Sequence, residues 1–188
     1  MRLILVRMIC ALGVTLCADN LAIAQSSYRQ LTANDFRGSP QVTGDSTVAH
    51  TKCTIDFKYH LNGVRGGAYQ LTFDVRVLMR RDRSWIDFRR ITTRAMLQRV
   101  LNHEQGHYNI SCLEQQEILR EASRKRFTEN YNYEARALFD RIHNKYQLLN
   151  ENYDIDTRHM LDSKQQHSWD VYFQHRMLYA PPIARVGY

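Results

Sequence analysis

Two stretches in the first half of the chain alternate between apolar and polar side chains. In CTIDFKYHL, residues 53–61, every second side chain is apolar, and AYQLTFDVRVLM, residues 68–79, largely repeats that pattern. A period of two is typical of a strand with one buried face. The glycine-rich segment NGVRGG between the two runs fits a hairpin loop. The sequence therefore predicts two antiparallel strands, with SWIDF, residues 84–88, as a short third strand.

A helical pattern follows. Thr93 is a suitable N-cap, and the segment from there to about Asn130 has no proline and one glycine, Gly106. A second helix is predicted over residues 134–149, with NENYDIDT, residues 150–157, as a loop. Thr157 is a candidate N-cap for a third helix that runs toward Tyr179. Strands followed by helices predict an α+β domain, in which an antiparallel sheet precedes a long helix and two further helices.

The start of the chain has the pattern of an export signal. Two arginines precede an apolar run over residues 8–17, and Ala22-Ile23-Ala24 is a small-x-small site for a signal peptidase. Asp19 and Asn20 interrupt the run before the roughly 20 apolar residues that a transmembrane helix needs. We therefore expect a signal peptide over residues 1–24 and a single domain over residues 25–188. The mature protein would be periplasmic or secreted, without a transmembrane anchor.

Composition and charge narrow the class of partner. The chain is 44% hydrophobic and 24% charged, as in soluble globular domains, and its formal net charge is +7. Loss of Arg2, Arg7 and Asp19 with the signal leaves 24 basic and 18 acidic residues, a net charge of about +6. The basic clusters contain no nucleic-acid-binding motif, so we interpret them as solvated faces and expect no nucleic-acid partner.

The long predicted helix carries HEQGH, residues 103–107, which has the form H-E-x-x-H. Residues four apart lie on one helix face, so the imidazoles of His103 and His107 can reach one ion. Glu104 is rotated by about 100° from His103, so it can reach a metal-bound water without binding the metal. The motif predicts Zn²⁺ as cofactor, with His103 and His107 as ligands and Glu104 as general base, in a zincin-like fold.

Two histidines on a polar helix surface are the alternative interpretation. However, the histidines share one stripe with three apolar residues, at spacings of four, three, four and three: Met96, Val100, His103, His107 and Ile110. This stripe should face the core, where a histidine pair without a metal would need other polar partners. The pattern therefore favours the metal site.

Signal cleavage leaves two cysteines, Cys53 and Cys112, in an oxidising compartment. Cys53 lies on the apolar side of the first strand. Cys112 is rotated by about 140° from His107, in a second apolar row of the helix, so it is not a plausible metal ligand. Both thiols should face the helix–sheet core, which favours a Cys53–Cys112 disulfide over two free thiols.

The long helix alone cannot supply a third metal ligand. The third histidine of a metzincin would fall at Leu113, and the glutamates farther along the helix lie about 10 Å of rise or more beyond the motif. His143 has no loop to direct it to the site. His159 follows the predicted loop, and packing of the third helix can bring it over the zinc. We predict His159 as the third ligand, with Asp154 as the alternative and Tyr153 as a nearby group that stabilises the oxyanion.

Four stretches together resemble a known family, the bacterial predicted secreted zinc-dependent proteases, which are classed as a domain of unknown function. They are LTANDFRGSP near the start, RSWIDF before the long helix, LNHEQGHYNI on it and YDIDTRHMLDSKQQHSWDVY near the end. The resemblance covers Tyr28 to about Leu178. It implies a zinc site, and its Thr-x-His pattern also points to His159. Ala33 stands where the family has a tryptophan, and Met160 where it has a glycine.

The function expected from the sequence is that of an exported zinc metallopeptidase. It would hydrolyse peptide bonds of a peptide or protein substrate with a zinc-bound water, and Glu104 would serve as base and then as proton donor to the leaving amine. The strand over residues 69–79 would bind an extended peptide by edge pairing. A non-catalytic zinc-stabilised envelope protein and a metallohydrolase of cell-wall amides are the alternatives. Glu104 favours an enzyme, because a structural zinc site needs no base.

Overall fold

The computed structural model describes residues 29–41 and 47–178, so the predicted signal peptide and its cleavage site lie outside the described residues. Within them the elements follow in the order β1 (Ala49–His50), β2 (Cys53–Arg65), β3 (Ala68–Met79), β4 (Trp85–Ile86), α1 (Arg94–Arg124), α2 (Tyr131–Thr157) and α3 (Ser163–Leu178). The strands form antiparallel pairs. The predicted α+β class, with a small antiparallel sheet and three helices, is confirmed. In the described part of the chain, no helix is both long and apolar enough to cross a bilayer.

The β2–β3 hairpin confirms the two strands that the alternation predicts. The two strands pair over their whole length, with one irregularity between Leu61 and Gly63. The predicted loop is mostly strand, because β2 continues to Arg65 and the turn consists of Gly66 and Gly67. These two glycines have φ values of +57° and +72°, which a two-residue hairpin turn of this kind requires.

The third predicted strand is present but short. Trp85–Ile86 forms β4 and pairs with β1, a two-residue strand in which no alternation could be seen. The hydroxyl of Thr51, directly after β1, donates a hydrogen bond to the Glu104 carbonyl oxygen at 3.4 Å. β1 therefore lies beside the HEQGH segment. In contrast, β3 packs on the farther half of α1, where Gln115 donates to the Val75 carbonyl oxygen at 2.6 Å. The strand nearest the site is thus β1, and not the predicted segment 69–79.

Helix α1 begins at the predicted cap. The Thr93 hydroxyl accepts a hydrogen bond from the Met96 amide at 3.0 Å, and the helix ends at Arg124, somewhat before the predicted end. Val100 and Ile110 are only 1% and 2% exposed. The inward orientation of the stripe that carries the two histidines is therefore confirmed.

The connection between α2 and α3 differs from the prediction. NENYDIDT is not a loop, because α2 continues through it to Thr157. Tyr153 and Thr157 are fully buried, and the Thr157 hydroxyl donates to the Tyr153 carbonyl oxygen at 2.6 Å. Packing against α1 outweighs the weak helix propensity of asparagine and aspartate in this segment. Thr157 therefore ends α2 instead of capping α3, and His159 lies in the turn between the helices.

Two buried clusters hold these elements together. One lies between the three helices and the hairpin, and the other joins the N-terminal segment, β1 and β4 to the first half of α1. Cys112 belongs to the second cluster and Cys53 packs against it, as predicted, but both are free thiols. Burial raises the pKa of Cys112 to about 12 and that of Cys53 to about 11. The Cys53–Cys112 disulfide therefore stays a prediction.

Candidate functional site

The imidazoles of His103 and His107 lie one turn apart on α1 and face the same carboxylate. Their ring centroids are 4.9 Å apart, and each Nε2 atom lies 3.2 Å from Oδ1 of Asp154, near the end of α2. The potential ligand atoms of these three residues all lie within 4.8 Å of one another. Tetrahedral zinc, with ligands at about 2.0–2.2 Å, needs ligand atoms about 3.3–3.6 Å apart. The contacts of Asp154 with both histidines are close to this spacing.

Amide side chains hold the outer nitrogen of each imidazole. The Nδ1 atom of His103 donates to Oε1 of Gln166 at 3.2 Å, and that of His107 donates to Oδ1 of Asn150 at 2.8 Å. The Gln166 amide is oriented by Asp170, because a carboxylate oxygen can only accept its Nε2–H, at 2.9 Å. Both Nε2 atoms are thereby turned toward Asp154. Hydrogen bonds of this kind orient the histidine ligands of metal sites.

This arrangement requires positive charge between the rings and the carboxylate. With both Nδ1 atoms donating, each Nε2 presents a lone pair unless a second proton binds, and ionised Asp154 also offers only lone pairs. Burial alone would lower the pKa of His107, but the hydrogen bond with Asp154 and the charge of Glu104 outweigh it and raise the pKa to about 9. Burial opposes ionisation of Asp154 as well, yet its bonds to His103 and His107 hold its pKa well below the usual range. A proton, or a metal ion in its place, meets this requirement.

His159, the predicted third ligand, contacts the same carboxylate from the α2–α3 turn. Its Nδ1 atom lies 3.3 Å from Oδ1 of Asp154, and its side chain is 48% exposed. It lies outside the close group of three potential ligands. The turn is left-handed, with φ values of +49°, +51° and +74° at Arg158, His159 and Met160. Met160 therefore has the backbone conformation that the glycine of the family pattern would adopt freely.

Glu104 lies in the wall of a pocket of about 260 Å³, beside both histidines. The residue is 3% exposed, and its Oε2 atom is buried without a hydrogen-bond partner among the described residues. It is not one of the three close potential ligands. A buried carboxylate oxygen without a partner is costly, so this group does not stabilise the fold.

Tyr153 lies beneath the site and not in the pocket. Its ring stacks on the His103 ring, with centroids 4.8 Å apart, and its hydroxyl donates to the His103 carbonyl oxygen at 2.9 Å. The same hydroxyl accepts a hydrogen bond from Nε2 of Gln166 at 2.9 Å. Gly106 makes this packing possible, because a methyl group there would come within 2.8 Å of Cε1 of Tyr153 and still closer to Cζ and the hydroxyl. Tyr153 thus positions His103, and its location does not support the predicted oxyanion role.

Comparison with known proteins gives the family. A family model described as "Bacterial protein of unknown function (DUF922)" matches residues 19–160. The chain belongs to this family. The predicted membership of a bacterial family of unknown function is thereby confirmed, while the description itself gives no activity. No curated protein and no solved structure matches the chain.

The DUF922 match covers Glu104 and the three close potential ligands. Sequence analysis did not assign roles to all of the residues that surround or support the site. Asn150 has no local motif, and Gln166 lies in the last of the four family-like stretches, beyond the matched residues 19–160, but was given no role. His50 is exposed and lines the pocket. His143, considered as a ligand, instead contacts Glu114 at 2.7 Å between α1 and α2. Only the fold brings these residues to their partners.

Proposed function

We propose that the protein is an exported zinc metallopeptidase whose site is built on the HEQGH segment. The observation that carries this proposal is Glu104, a buried carboxylate with an unpartnered oxygen in the wall of the pocket that His103 and His107 also line. A site that only stabilised the fold would have no use for such a group. The predicted signal peptide supports a location in the periplasm or outside the cell.

His103, His107 and Asp154 would hold the zinc. Asp154, the alternative candidate from sequence, takes this role because it lies within 3.2 Å of both inner imidazole nitrogens. His159 would stand beside it at the pocket wall and contact the Asp154 carboxylate. Zinc in this site would polarise the scissile carbonyl and bring the pKa of a bound water toward neutrality.

Side chains of the protein would then carry out the proton transfers. Glu104 would accept the proton of the attacking water at its free carboxylate oxygen and pass it to the leaving amine. Asn150 and Gln166 would keep the imidazoles in the tautomer with Nε2 inward. With Tyr153 buried beneath the site, His50 and His159 are the pocket-wall imidazoles that can donate a hydrogen bond to the developing oxyanion.

The test of this proposal is Glu104→Gln. Because the residue is placed as a base and not as a ligand, the variant should fold and bind zinc like wild type while peptide hydrolysis falls by about 100-fold or more. Zinc content by mass spectrometry and cleavage of a fluorogenic peptide library measure the two effects separately. Glu129→Gln, on the surface, is the matched control and should retain full activity.

Two results would contradict the assignment. One is full hydrolysis by Glu104→Gln, and the other is a loss of zinc as large as that caused by His103→Ala. A non-catalytic zinc site is the second candidate, because His159 lies close enough to Asp154 to complete a closed set of four protein groups. Stoichiometric zinc without hydrolysis of any peptide or cell-wall amide would favour that candidate.

A further inference from the structure

The pocket at the histidines continues into a longer groove. Gln41, His50 and Trp85 line both the histidine pocket and a second depression beside it. The second depression in turn shares Gly38 and Ser39 with a third. The three depressions therefore form one path over the β1–β4 pair, with the candidate zinc site at one end.

The far part of this groove is basic. Its walls carry four basic residues, Arg37, Lys52, Arg81 and Arg83, against one acidic residue, Asp82. Asp82 already lies 3.6 Å from Arg80, and Arg81 lies 3.3 Å from the buried carboxylate of Asp35. In the described part of the chain, neither Lys52 nor Arg83 has a carboxylate within 4.0 Å.

Arg81 also lines the third depression, and its side chain is 40% exposed. The groove therefore combines two surface cations without an ion-pair partner, Lys52 and Arg83, with the partly exposed side chain of Arg81.

We propose that this groove binds an acidic stretch of the peptide substrate, on one side of the bond that is cleaved. The inference rests on the proposed peptidase function and adds its substrate class. Lys52 and Arg83 contact the acidic side chains nearest the zinc site, and Arg37 and Arg81 those farther along. An acidic substrate fits better than a neutral one, because the walls of the far part of the groove carry four basic residues and one acidic residue.

The test measures binding separately from hydrolysis. Zinc-loaded Glu104→Gln protein is titrated with fluorescein-labelled twelve-residue peptides that carry three glutamates, three glutamines or three lysines at the same positions. The glutamate peptide should bind about tenfold more tightly than the glutamine peptide at low salt, and the difference should shrink in about 0.5 M salt. The lysine peptide should bind most weakly.

Charge reversal then locates the effect. Lys52→Glu combined with Arg83→Glu should abolish the preference for glutamate, whereas the matched pair Arg65→Glu and Arg136→Glu, on exposed positions outside the groove, should keep it. Equal affinities for the glutamate and glutamine peptides, or an equal loss in the control pair, would overturn the proposal. So would stronger competition by an anionic polysaccharide than by the glutamate peptide.

Hydrolysis by the wild-type protein separates the proposed peptidase activity from the proposed preference for acidic peptides. Cleavage of the peptides without any charge preference would be consistent with the peptidase activity but would reject the proposal that the basic groove selects acidic substrates. Binding could instead show a charge preference that depends on Lys52 and Arg83 while no peptide is cleaved. This result would support the groove as a binding surface and reject the peptidase activity.

Discussion

Neighbouring side chains of the HEQGH segment point in different directions and contact different parts of the protein, because each residue is rotated about the helix axis relative to the one before it. His103 and His107 turn their inner nitrogens toward Asp154, and Glu104 reaches the pocket wall. Gln105 points to the opposite side, where its Oε1 accepts a hydrogen bond from the Leu31 amide at 2.7 Å. Gly106 provides the space in which Tyr153 packs. One turn of helix thus supplies side chains of the candidate site, an anchor for the N-terminal segment and the contact with α2.

We predict that Gly106→Ala destabilises the protein despite the better helix propensity of alanine. The propensity gain is about 1 kcal/mol, and overlap with the Tyr153 ring costs about 1–3 kcal/mol or more. Displacement of Tyr153 should also weaken zinc binding, because its hydroxyl would lose the His103 carbonyl oxygen. Denaturant unfolding and a zinc competition assay measure both effects. In a Tyr153→Ala background the same substitution should become neutral or stabilising. An equal penalty in both backgrounds would contradict the packing argument.

The sequence predicts the residues of one helix better than those that meet it from elsewhere. The spacing of His103, Glu104 and His107 is a local property, and the inward stripe follows from periodicity alone. Asp154 was only the alternative third ligand, because its position depends on α2 continuing through a segment rich in asparagine and aspartate. Tyr153 was placed near the site correctly, but its burial depends on a glycine 47 positions earlier in the chain.

At the scale of elements, the end of α2 decides the geometry of the site. The additional helical turns bring Asn150 and Asp154 to His107, and the left-handed turn then reverses the chain so that α3 can present Gln166 to His103. This turn contains no glycine, and three consecutive side-chain-bearing residues have positive φ. Each of them is strained relative to a right-handed conformation.

Arg158→Gly should relieve part of this strain. Arg158 has φ +49° at the C-cap of α2 and its side chain is exposed. Relief of the left-handed strain exceeds the added entropy of the unfolded chain, so we expect a stabilisation of about 0.5–1 kcal/mol. Arg136→Gly, at an exposed position inside α2, is the control and should destabilise by about 1 kcal/mol. Thermal and denaturant unfolding compare the two variants, and equal destabilisation by both would show that the turn is unstrained.

At the scale of the whole molecule, the N-terminal segment joins parts that are distant in sequence. Gln105 binds it to α1, and Asp35 binds Arg29 at 2.9 Å and Arg81 of the β3–β4 connection at 3.3 Å. Burial alone would raise the pKa of Asp35, but hydrogen bonds from Arg29 and Thr32 outweigh it and lower the pKa to about 2. This carboxylate therefore links stability to pH.

Acid should remove the contribution of Asp35. Since its pKa is lower in the folded protein than the ordinary value of 3.8, its contribution is complete above about pH 4 and is lost as the pH falls toward 2. The contribution amounts to about 2 kcal/mol at most, and roughly half of it should be lost by pH 3. The measurement is the difference in unfolding free energy between wild type and Asp35→Asn from pH 7 to pH 3. A difference that does not change with pH would contradict the assignment.

The central claim is that His103, His107 and Asp154 hold a zinc ion, and zinc affinity tests it most directly. Zinc content and competition with a chromophoric chelator should be measured for wild type and for single alanine variants at positions 103, 154 and 159, with exposed Asp140→Ala as control. We expect one zinc per wild-type or control chain, losses of about 100-fold or more in His103→Ala and Asp154→Ala, and less than about tenfold in His159→Ala. Absence of zinc from the wild type, or wild-type affinity in Asp154→Ala with loss in His159→Ala, would contradict the account.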